Sequence, residues 1–268
     1  MFKPKISIIT PTHQYHDNWG YVIKSVLNQT FTDWEWIILD SSEDKQICHH
    51  VNIVNNMNIK VIPILSNPNK HKIGLMKYVN CNLISSSSEI ILELDHDDYL
   101  MDTALEKVYK AFQNPEVGFV YSDYIALNDN ISRDHDYFNS IGCLYRYALN
   151  HIKYGVLDVN AFRTPEINIK HLELGIMPAH LRAWRKSIYE KIGCHDINLD
   201  VLDDLDLIIR TMLNTTSYQI CEPLYIWNFH ENSGTLNYNT GHQEQLKKQI
   251  INRYFDKLAT TDLKVLKA

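Results

Sequence analysis

The chain has 268 residues, of which 45% are hydrophobic and 22% charged, and its formal net charge at pH 7 is -6. This composition is typical of a soluble globular protein with a sizeable core, in one large or two small domains. The acidic balance argues against a nucleic-acid binder that relies on a basic face, and no stretch reaches the roughly 18 consecutive apolar residues of a membrane span.

The cysteines give no sign of an oxidising compartment. Five cysteines lie far apart and include no C-x-x-C pair: Cys48, Cys81, Cys143, Cys194 and Cys221. This spacing indicates neither a disulfide framework nor a zinc knuckle. The first residues lead into a strand-like run rather than a signal peptide. We therefore expect a cytoplasmic protein whose contact with a membrane, if it has one, is peripheral and on the cytoplasmic face.

In the first half of the chain, short apolar runs alternate with amphipathic stretches. The predicted strands are Ile6–Thr10, Trp36–Leu39, Val61–Ile64, Ile90–Leu92 and Phe119–Tyr121. The predicted helices are Tyr21–Leu27, Leu75–Ile84 and Thr103–Phe112. Such alternation predicts β-α-β units, and near-continuous apolar strands are typical of a parallel sheet covered on both faces. The expected class is α/β with a mostly parallel central sheet.

The second half has weaker periodicity at first. Residues 128–173 are rich in Tyr, Asn, His and Asp, which predicts an irregular region able to cover a site. Helical patterns return at Arg185–Ile192 and Asp204–Leu213, followed by the strand Leu224–Trp227 and a polar helix His242–Leu258.

The segment Glu93–Leu100 concentrates acidic residues directly after a predicted strand. Asp95, Asp97 and Asp98 repel one another, and a hard cation such as Mg²⁺ or Mn²⁺ would relieve that repulsion while leaving positions open for phosphates. An acidic turn that caps the helix beginning near Asp102 explains the same residues. Because Asp40 also follows a strand, both acids are expected at one edge of the sheet.

Four segments in order resemble a known enzyme family. They are Ile6–Thr12, the run Ser25–Glu35 leading to Asp40, Glu93–Leu100, and Leu202–Leu207 before Arg210. Their order and spacing resemble the inverting family 2 glycosyltransferases, nucleotide-sugar-dependent enzymes with the Rossmann-like GT-A fold. The resemblance implies a glycosyltransferase domain over residues 1–230, with a nucleotide-sugar half (1–125) and an acceptor half (126–230). Residues 231–268 would then form a C-terminal loop and helix packed on that domain.

The resemblance also implies a nucleotide-sugar site at the ends of the first strands. It assigns to this site Thr10, Pro11, Thr12, Asp40, Ser41, Lys72, Lys77, Asp95 and His96. The family often has a second acid where this chain has Ser41, and in some relatives that acid contacts uracil. UDP-sugar nevertheless stays the favoured donor. The two lysines are equally well explained as exposed residues of an amphipathic helix.

A metal site follows from the same resemblance. Asp95 and Asp97 match the family's D-x-D element, and His230 occupies a place where relatives often carry a histidine near the metal or diphosphate. The expected ion is Mn²⁺ or Mg²⁺, which neutralises charge on the departing diphosphate. A purely structural role is the alternative for His230.

The catalytic base is expected at the start of a late helix. Asp204 matches the base position of the family's acidic pair, where it would take a proton from the acceptor hydroxyl in one inverting displacement. The acceptor side would include Asp203, His180, Trp184 and Arg185. Acids also favour a helix N-terminus through its dipole, and Arg182 and Arg185 are equally well explained as surface charges.

The resulting hypothesis is a hexosyl- or N-acetylhexosaminyltransferase. Its partners would be a nucleotide-sugar and a hydroxyl acceptor on a glycan, a lipid-linked precursor or a protein, with no nucleic acid. A nucleotidyltransferase is disfavoured because no glycine-rich phosphate loop follows Thr10. A binding or assembly subunit of the same fold that has lost turnover remains the other alternative, although the retained acids argue against it.

Overall fold

A computed structural model of the protein describes residues 4–13, 18–42, 58–64, 88–127, 144–151, 155–178, 180–199, 201–228 and 240–268. Its strands are β1 (Ile6–Thr12), β2 (Trp34–Asp40), β3 (Ile59–Pro63), β4 (Ile90–Glu93), β5 (Tyr99–Leu100), β6 (Val117–Leu127), β7 (Leu144–His151), β8 (Gly155–Phe162), β9 (Arg182–Arg185), β10 (Thr216–Asn228) and β11 (Val265–Lys267). Its helices are α1 (Trp19–Leu27), α2 (Ala104–Ala111), α3 (Ile169–Glu173), α4 (Lys186–Lys191), α5 (Asp203–Met212) and α6 (Thr240–Thr260).

These strands form one mixed sheet. Its main path runs β11-β10-β6-β9-β4-β1-β2-β3, with β5, β7 and β8 attached beside it. The pairs among β1, β2, β3 and β4 are parallel, as are β6–β10 and β10–β11. Strand β9 lies antiparallel between β4 and β6. The predicted α/β class with a mostly parallel central sheet is therefore confirmed.

The strands bury side chains on both faces. In β1, Ile8 belongs to the core packed under α1 and α2, whereas the next residue, Ile9, belongs to the core under α4, α5 and α6. Successive side chains of a strand point to opposite faces, so a strand between two helical layers needs apolar residues at nearly every position. This requirement explains the near-continuous apolar runs of β1, β2 and β4.

Several elements differ from the sequence-based expectations. Part of the region predicted as irregular forms the antiparallel pair β7–β8 and the short helix α3. Strand β9 was not expected at all. Cys194 is disulfide-bonded, although the cysteine spacing indicated no disulfide framework, and Cys221 is free. The predicted helix Leu75–Ile84 lies outside the described residues.

Helix α6 is the longest helix of the described part of the chain, and it packs against α3 and α5. No helix in the described ranges is both long and apolar enough to cross a lipid bilayer.

Candidate active site

The carboxyl ends of three parallel strands meet at one edge of the sheet. Thr12 at the end of β1 lies opposite Asp40 at the end of β2. Beyond β4, the Leu94 N–H donates to the Ile9 carbonyl at 3.0 Å, which brings Asp95 to the same edge. Asp40 and Asp95 therefore follow neighbouring strands, as expected for the ligand-binding edge of an open α/β sheet.

The residues expected to hold the nucleotide cluster at this edge, mostly with buried side chains. Thr10, Thr12, Asp40 and Ser41 are buried, and Pro11 is partly exposed. The Ser41 N–H donates to the Thr12 carbonyl at 2.9 Å. The Asp40 carboxylate accepts the Ser42 N–H at 2.9 Å.

Thr10 has a structural partner rather than an open hydroxyl, because the Trp36 indole N–H donates to its Oγ1 at 2.9 Å inside the core. The predicted residues Lys72, Lys77 and His230 lie outside the described part of the chain.

The acidic segment is anchored through Asp98. This side chain is only 1% exposed, and its carboxylate accepts the Tyr225 hydroxyl and the Asn228 N–H, both at 2.8 Å. Burial, together with the negative charges of Asp97 and Asp95, raises the pKa of Asp98 well above its ordinary value. The helix-cap alternative is not supported, because the residue preceding α2 is Thr103 and makes no side-chain capping hydrogen bond.

A candidate metal centre lies beside this segment. Ligand atoms of Asp95, Asp98 and His180 all lie within 4.8 Å of one another. The imidazole of His180 stacks on the Tyr225 ring, with a centroid separation of 4.4 Å and an interplanar angle of 8°. His180 was expected on the acceptor side, but its imidazole lies next to Asp95 and Asp98. Asp97 and His96 are adjacent, with 17% and 15% of their side chains exposed.

The two acids at the start of α5 point to different surroundings. Leu202, just before the helix, has a left-handed backbone with φ of 56°. Asp203 is buried against His195, with Oδ2 2.6 Å from Nδ1. The Asp204 side chain is 29% exposed and accepts a hydrogen bond from Arg182 Nη1 at 3.1 Å. The structure therefore leaves the Asp204 carboxylate partly accessible and buries the Asp203 carboxylate.

Arg182 connects this helix to β4. Its guanidinium is 5% exposed, and Nη2 lies 3.4 Å from Glu93 Oε2. Burial alone lowers the pKa of Arg182, but the carboxylates of Glu93, Asp204 and Asp95 reverse this and raise it above the ordinary arginine value. Glu93 also lies 2.6 Å from His195 Nε2. The surface-charge explanation of Arg182 is thereby excluded.

Two predicted acceptor residues lie elsewhere. Trp184 is fully buried beneath α5, where its indole N–H donates to Thr211 Oγ1 at 2.9 Å. Arg185 lies opposite Ile90, at the far end of β4 from the acids. Its guanidinium donates to the carbonyls of Val117, Phe112 and Asn114. The structure does not bring either side chain to the site.

Sequence profiles identify the family. The profile of "Glycosyl transferase family 2" matches residues 7–193. A similar protein is an uncharacterized glycosyltransferase of Haemophilus influenzae, 23% identical over 93% of this chain and 76% of its own length. Another is the Escherichia coli UDP-Glc:alpha-D-GlcNAc-diphosphoundecaprenol beta-1,3-glucosyltransferase WfgD, 26% identical over 47% of each chain. The chain thus matches about half the length of this E. coli relative.

Solved structures share the fold. S. aureus TarS 1-349 in complex with UDP-GlcNAc has a TM-score of 0.64 and 15% identity, covering 94% of this chain and 73% of that one. The mannosyltransferase PcManGT of Pyrobaculum calidifontis, in complex with GDP-Man and Mn²⁺, has a TM-score of 0.61 and 12% identity. The match covers 98% of this chain and 66% of that one. With the profile match over most of the chain, these findings make the protein a member of glycosyl transferase family 2, a glycosyltransferase with the GT-A fold.

Proposed function

We propose that the protein is a metal-dependent inverting glycosyltransferase that moves one sugar from a nucleoside diphosphate to an acceptor hydroxyl. The observation that carries this proposal is the accessible carboxylate of Asp204, held by the buried Arg182 at the edge where the acidic segment also lies. In this proposal residues 1–125 supply most of the donor site and residues 126–230 most of the acceptor site.

A UDP-sugar is the favoured donor. TarS was solved with UDP-GlcNAc, and the name of WfgD specifies UDP-Glc as donor and a diphosphoundecaprenol-linked acceptor. Thr12, Asp40 and Ser41 would surround the nucleoside at the ends of β1 and β2, with Pro11 offering exposed surface. The acceptor would be a glycan or a lipid-linked glycan, and the protein would visit the cytoplasmic face of a membrane in the second case.

The donor atoms of the candidate metal centre suit Mn²⁺. Two carboxylates and one imidazole within 4.8 Å combine the oxygen ligands of a hard divalent ion with a nitrogen ligand that Mn²⁺ accepts. Asp95, Asp98 and His180 would hold the ion, with Asp97 beside them. When bound, such an ion neutralises charge on the leaving diphosphate.

Asp204 would act as the base of a single displacement. Its carboxylate takes the proton of the acceptor hydroxyl while the acceptor oxygen bonds to the anomeric carbon. The bond from that carbon to the diphosphate oxygen breaks on the opposite face, and the electron pair leaves with the diphosphate. Arg182 donates to Asp204 Oδ2 and the Leu205 N–H donates to Oδ1, so that both oxygens of the carboxylate are held in place. An α-linked donor then gives a β-linked product.

The test compares wild type with Asp95→Asn and Asp204→Asn across UDP-, GDP- and dTDP-sugars, each with Mn²⁺, Mg²⁺ or EDTA. We expect Asp204→Asn to bind the donor normally and to lose transfer by about 10²–10⁴-fold. Asp95→Asn should lose both metal-dependent donor binding and transfer. The exposed Asp102→Asn is the matched control and should behave as wild type.

Two results would contradict the proposal. Retention of anomeric configuration would exclude the single displacement. Metal-dependent nucleotide binding without transfer, across acceptors that include lipid-linked glycans, would support the non-catalytic binding subunit instead.

A further inference from the structure

A buried histidine joins the two elements that carry the acids of the site. His195 Nε2 lies 2.6 Å from Glu93 Oε1 at the end of β4, and its Nδ1 lies 2.6 Å from Asp203 Oδ2 at the start of α5. The His195 side chain has no exposed surface. The proposed function gives this residue no role.

The chemistry of the ring limits how such a bridge forms. A neutral imidazole carries one N–H and one lone pair, whereas the imidazolium carries two N–H groups. Nε2 meets Glu93 Oε1 in a hydrogen bond, whereas Nδ1 and Asp203 Oδ2 lie in close contact without the alignment of a hydrogen bond. An imidazolium would satisfy both contacts, because a ring lone pair 2.6 Å from a carboxylate oxygen would be repelled. Removing one partner of a buried ion pair leaves an uncompensated charge, which makes the bridge a strong constraint on both elements.

The bridge continues to the proposed base. The second oxygen of Glu93 faces Arg182 at 3.4 Å, and Arg182 donates to Asp204 at 3.1 Å. Asp203 and Asp204 are consecutive, so the chain of contacts from Asp203 through His195, Glu93 and Arg182 closes on itself. Cationic and acidic side chains alternate from Asp203 to Asp204, and the peptide bond between these two aspartates closes the ring. Such a network fixes its members more firmly than an isolated pair does.

We propose that His195 is a positioning residue for sugar transfer. It holds Glu93 and the first turn of α5 together, and through Arg182 it sets the direction of the Asp204 carboxylate without contacting either substrate. This inference rests on the proposed function of Asp204. A displacement of a reacting group by about 1 Å costs on the order of 10²-fold in rate, so a lost bridge should appear in turnover rather than in binding.

The kinetic test uses His195→Gln, Arg182→Lys and the double variant, assayed with the donor that wild type prefers. We expect His195→Gln to lower kcat about 10- to 100-fold while the donor KM changes less than about threefold. In the Arg182→Lys background the same change should lower kcat less than about threefold, because its effect passes through Arg182. His242→Gln, at an exposed position of α6, is the control and should match wild type.

The inference is overturned if folded His195→Gln retains kcat within about twofold. It is also overturned if the fold-losses in kcat of His195→Gln and Arg182→Lys multiply in the double variant, because independent effects combine in that way. If His195→Gln does not fold, Asp203→Leu takes its place, because it removes both carboxylate oxygens from His195 and keeps a branched side chain of similar size.

Crystal structures of wild type and the variant give a readout that needs no turnover. Loss of the Arg182–Asp204 hydrogen bond in the variant supports the inference, and its retention at the wild-type distance of 3.1 Å overturns it. If wild type transfers no sugar from any donor, the proposed function fails and the Arg182–Asp204 geometry alone decides the role of His195.

Discussion

Asp123, in the middle of β6, is an ionisable side chain buried in the interior. Its carboxylate accepts the Thr164 N–H at 3.0 Å and the Tyr145 hydroxyl at 3.1 Å. Burial raises the pKa of Asp123 to about 6, and these two hydrogen bonds and the charge of Arg163 offset only part of that effect. The folded protein therefore binds the Asp123 proton more tightly than the unfolded chain does.

This shift predicts a pH dependence of stability. Because the pKa is raised on folding, the contribution of Asp123 is fully present below about pH 4 and is lost as the pH rises through about 6. Asp123→Asn should therefore gain stability relative to wild type between pH 4.5 and 7. Urea unfolding at a series of pH values measures the difference. The exposed Asp102→Asn is the control, and parallel curves for wild type and Asp123→Asn would contradict the assignment.

At the scale of elements, Gly118 in β6 shows how closely the sheet and its connections pack. A Cβ placed on Gly118 would lie 2.0 Å from Thr215 Oγ1 and 2.9 Å from Ile188 Cγ1. The first contact comes from the turn before β10 and the second from α4. Glycine is thus required here because side-chain atoms of Thr215 and Ile188 leave no room for a Cβ, and not because of its own backbone conformation.

Gly118→Ala should lower the free energy of unfolding by about 1–3 kcal/mol, the usual cost of overpacking a buried position. Adding Thr215→Gly removes the nearest atoms and should restore part of the loss. Chemical denaturation of Gly118→Ala, Thr215→Gly and the double variant measures the effect. Gly20→Ala in α1 is the matched control, because nothing lies within 4 Å of its added Cβ and alanine favours a helix. Equal effects at positions 20 and 118 would rule out the steric explanation.

The elements that could be predicted from the sequence are those whose own residues show an apolar run or a helical apolar period. Strands β1, β2 and β4 are apolar on both faces, and the helices α2 and α5 have a helical apolar period. Strand β9 was not predicted because two of its four residues are arginines. A charged residue is stable in a central strand only when other elements supply polar partners for it.

The site residues could also be predicted only where a local sequence pattern indicates them. The acids Asp95 and Asp204 follow recognisable segments, so the sequence could indicate them. Arg182, Glu93 and His195 acquire their roles only from pairing between β4 and β9, which no local pattern encodes. The structure also separates Trp184 and Arg185 from His180, although all three were expected on the acceptor side. Neighbouring side chains of a strand point to opposite faces, and the strand carries the chain away from the acids.

At the scale of the whole molecule, the order of strands interleaves the two halves of the chain. Strand β9, from the second half, lies between β4 and β6, which both begin before residue 125. Strand β10 then pairs with β6 along most of its length. Residues 1–125 and residues 126–230, which we propose as donor and acceptor regions, therefore share one sheet and two hydrophobic cores.

A fragment of residues 1–125 should not fold by itself. Without β9 it has an unbridged gap between β4 and β6, and it lacks α5 and α6, which cover one face. We expect a circular dichroism spectrum of a largely unfolded chain and an NMR spectrum without dispersed amide signals, with the full-length protein as control. A dispersed, cooperatively unfolding fragment would show instead that the first half is an independent domain.

The late position of β9 in the chain also bears on synthesis at the ribosome. Its partner β4 is complete roughly 90 residues earlier, an interval of about 5–18 s at 5–20 residues per second. During that interval the backbone N–H and C=O groups of Ile90–Glu93 that pair with β9 have no strand to pair with. Apolar strands with unpaired edges are prone to aggregation. The nascent chain therefore spends seconds in a state that a chaperone would be expected to shield, and slow synthesis between β6 and β9 would prolong that exposure.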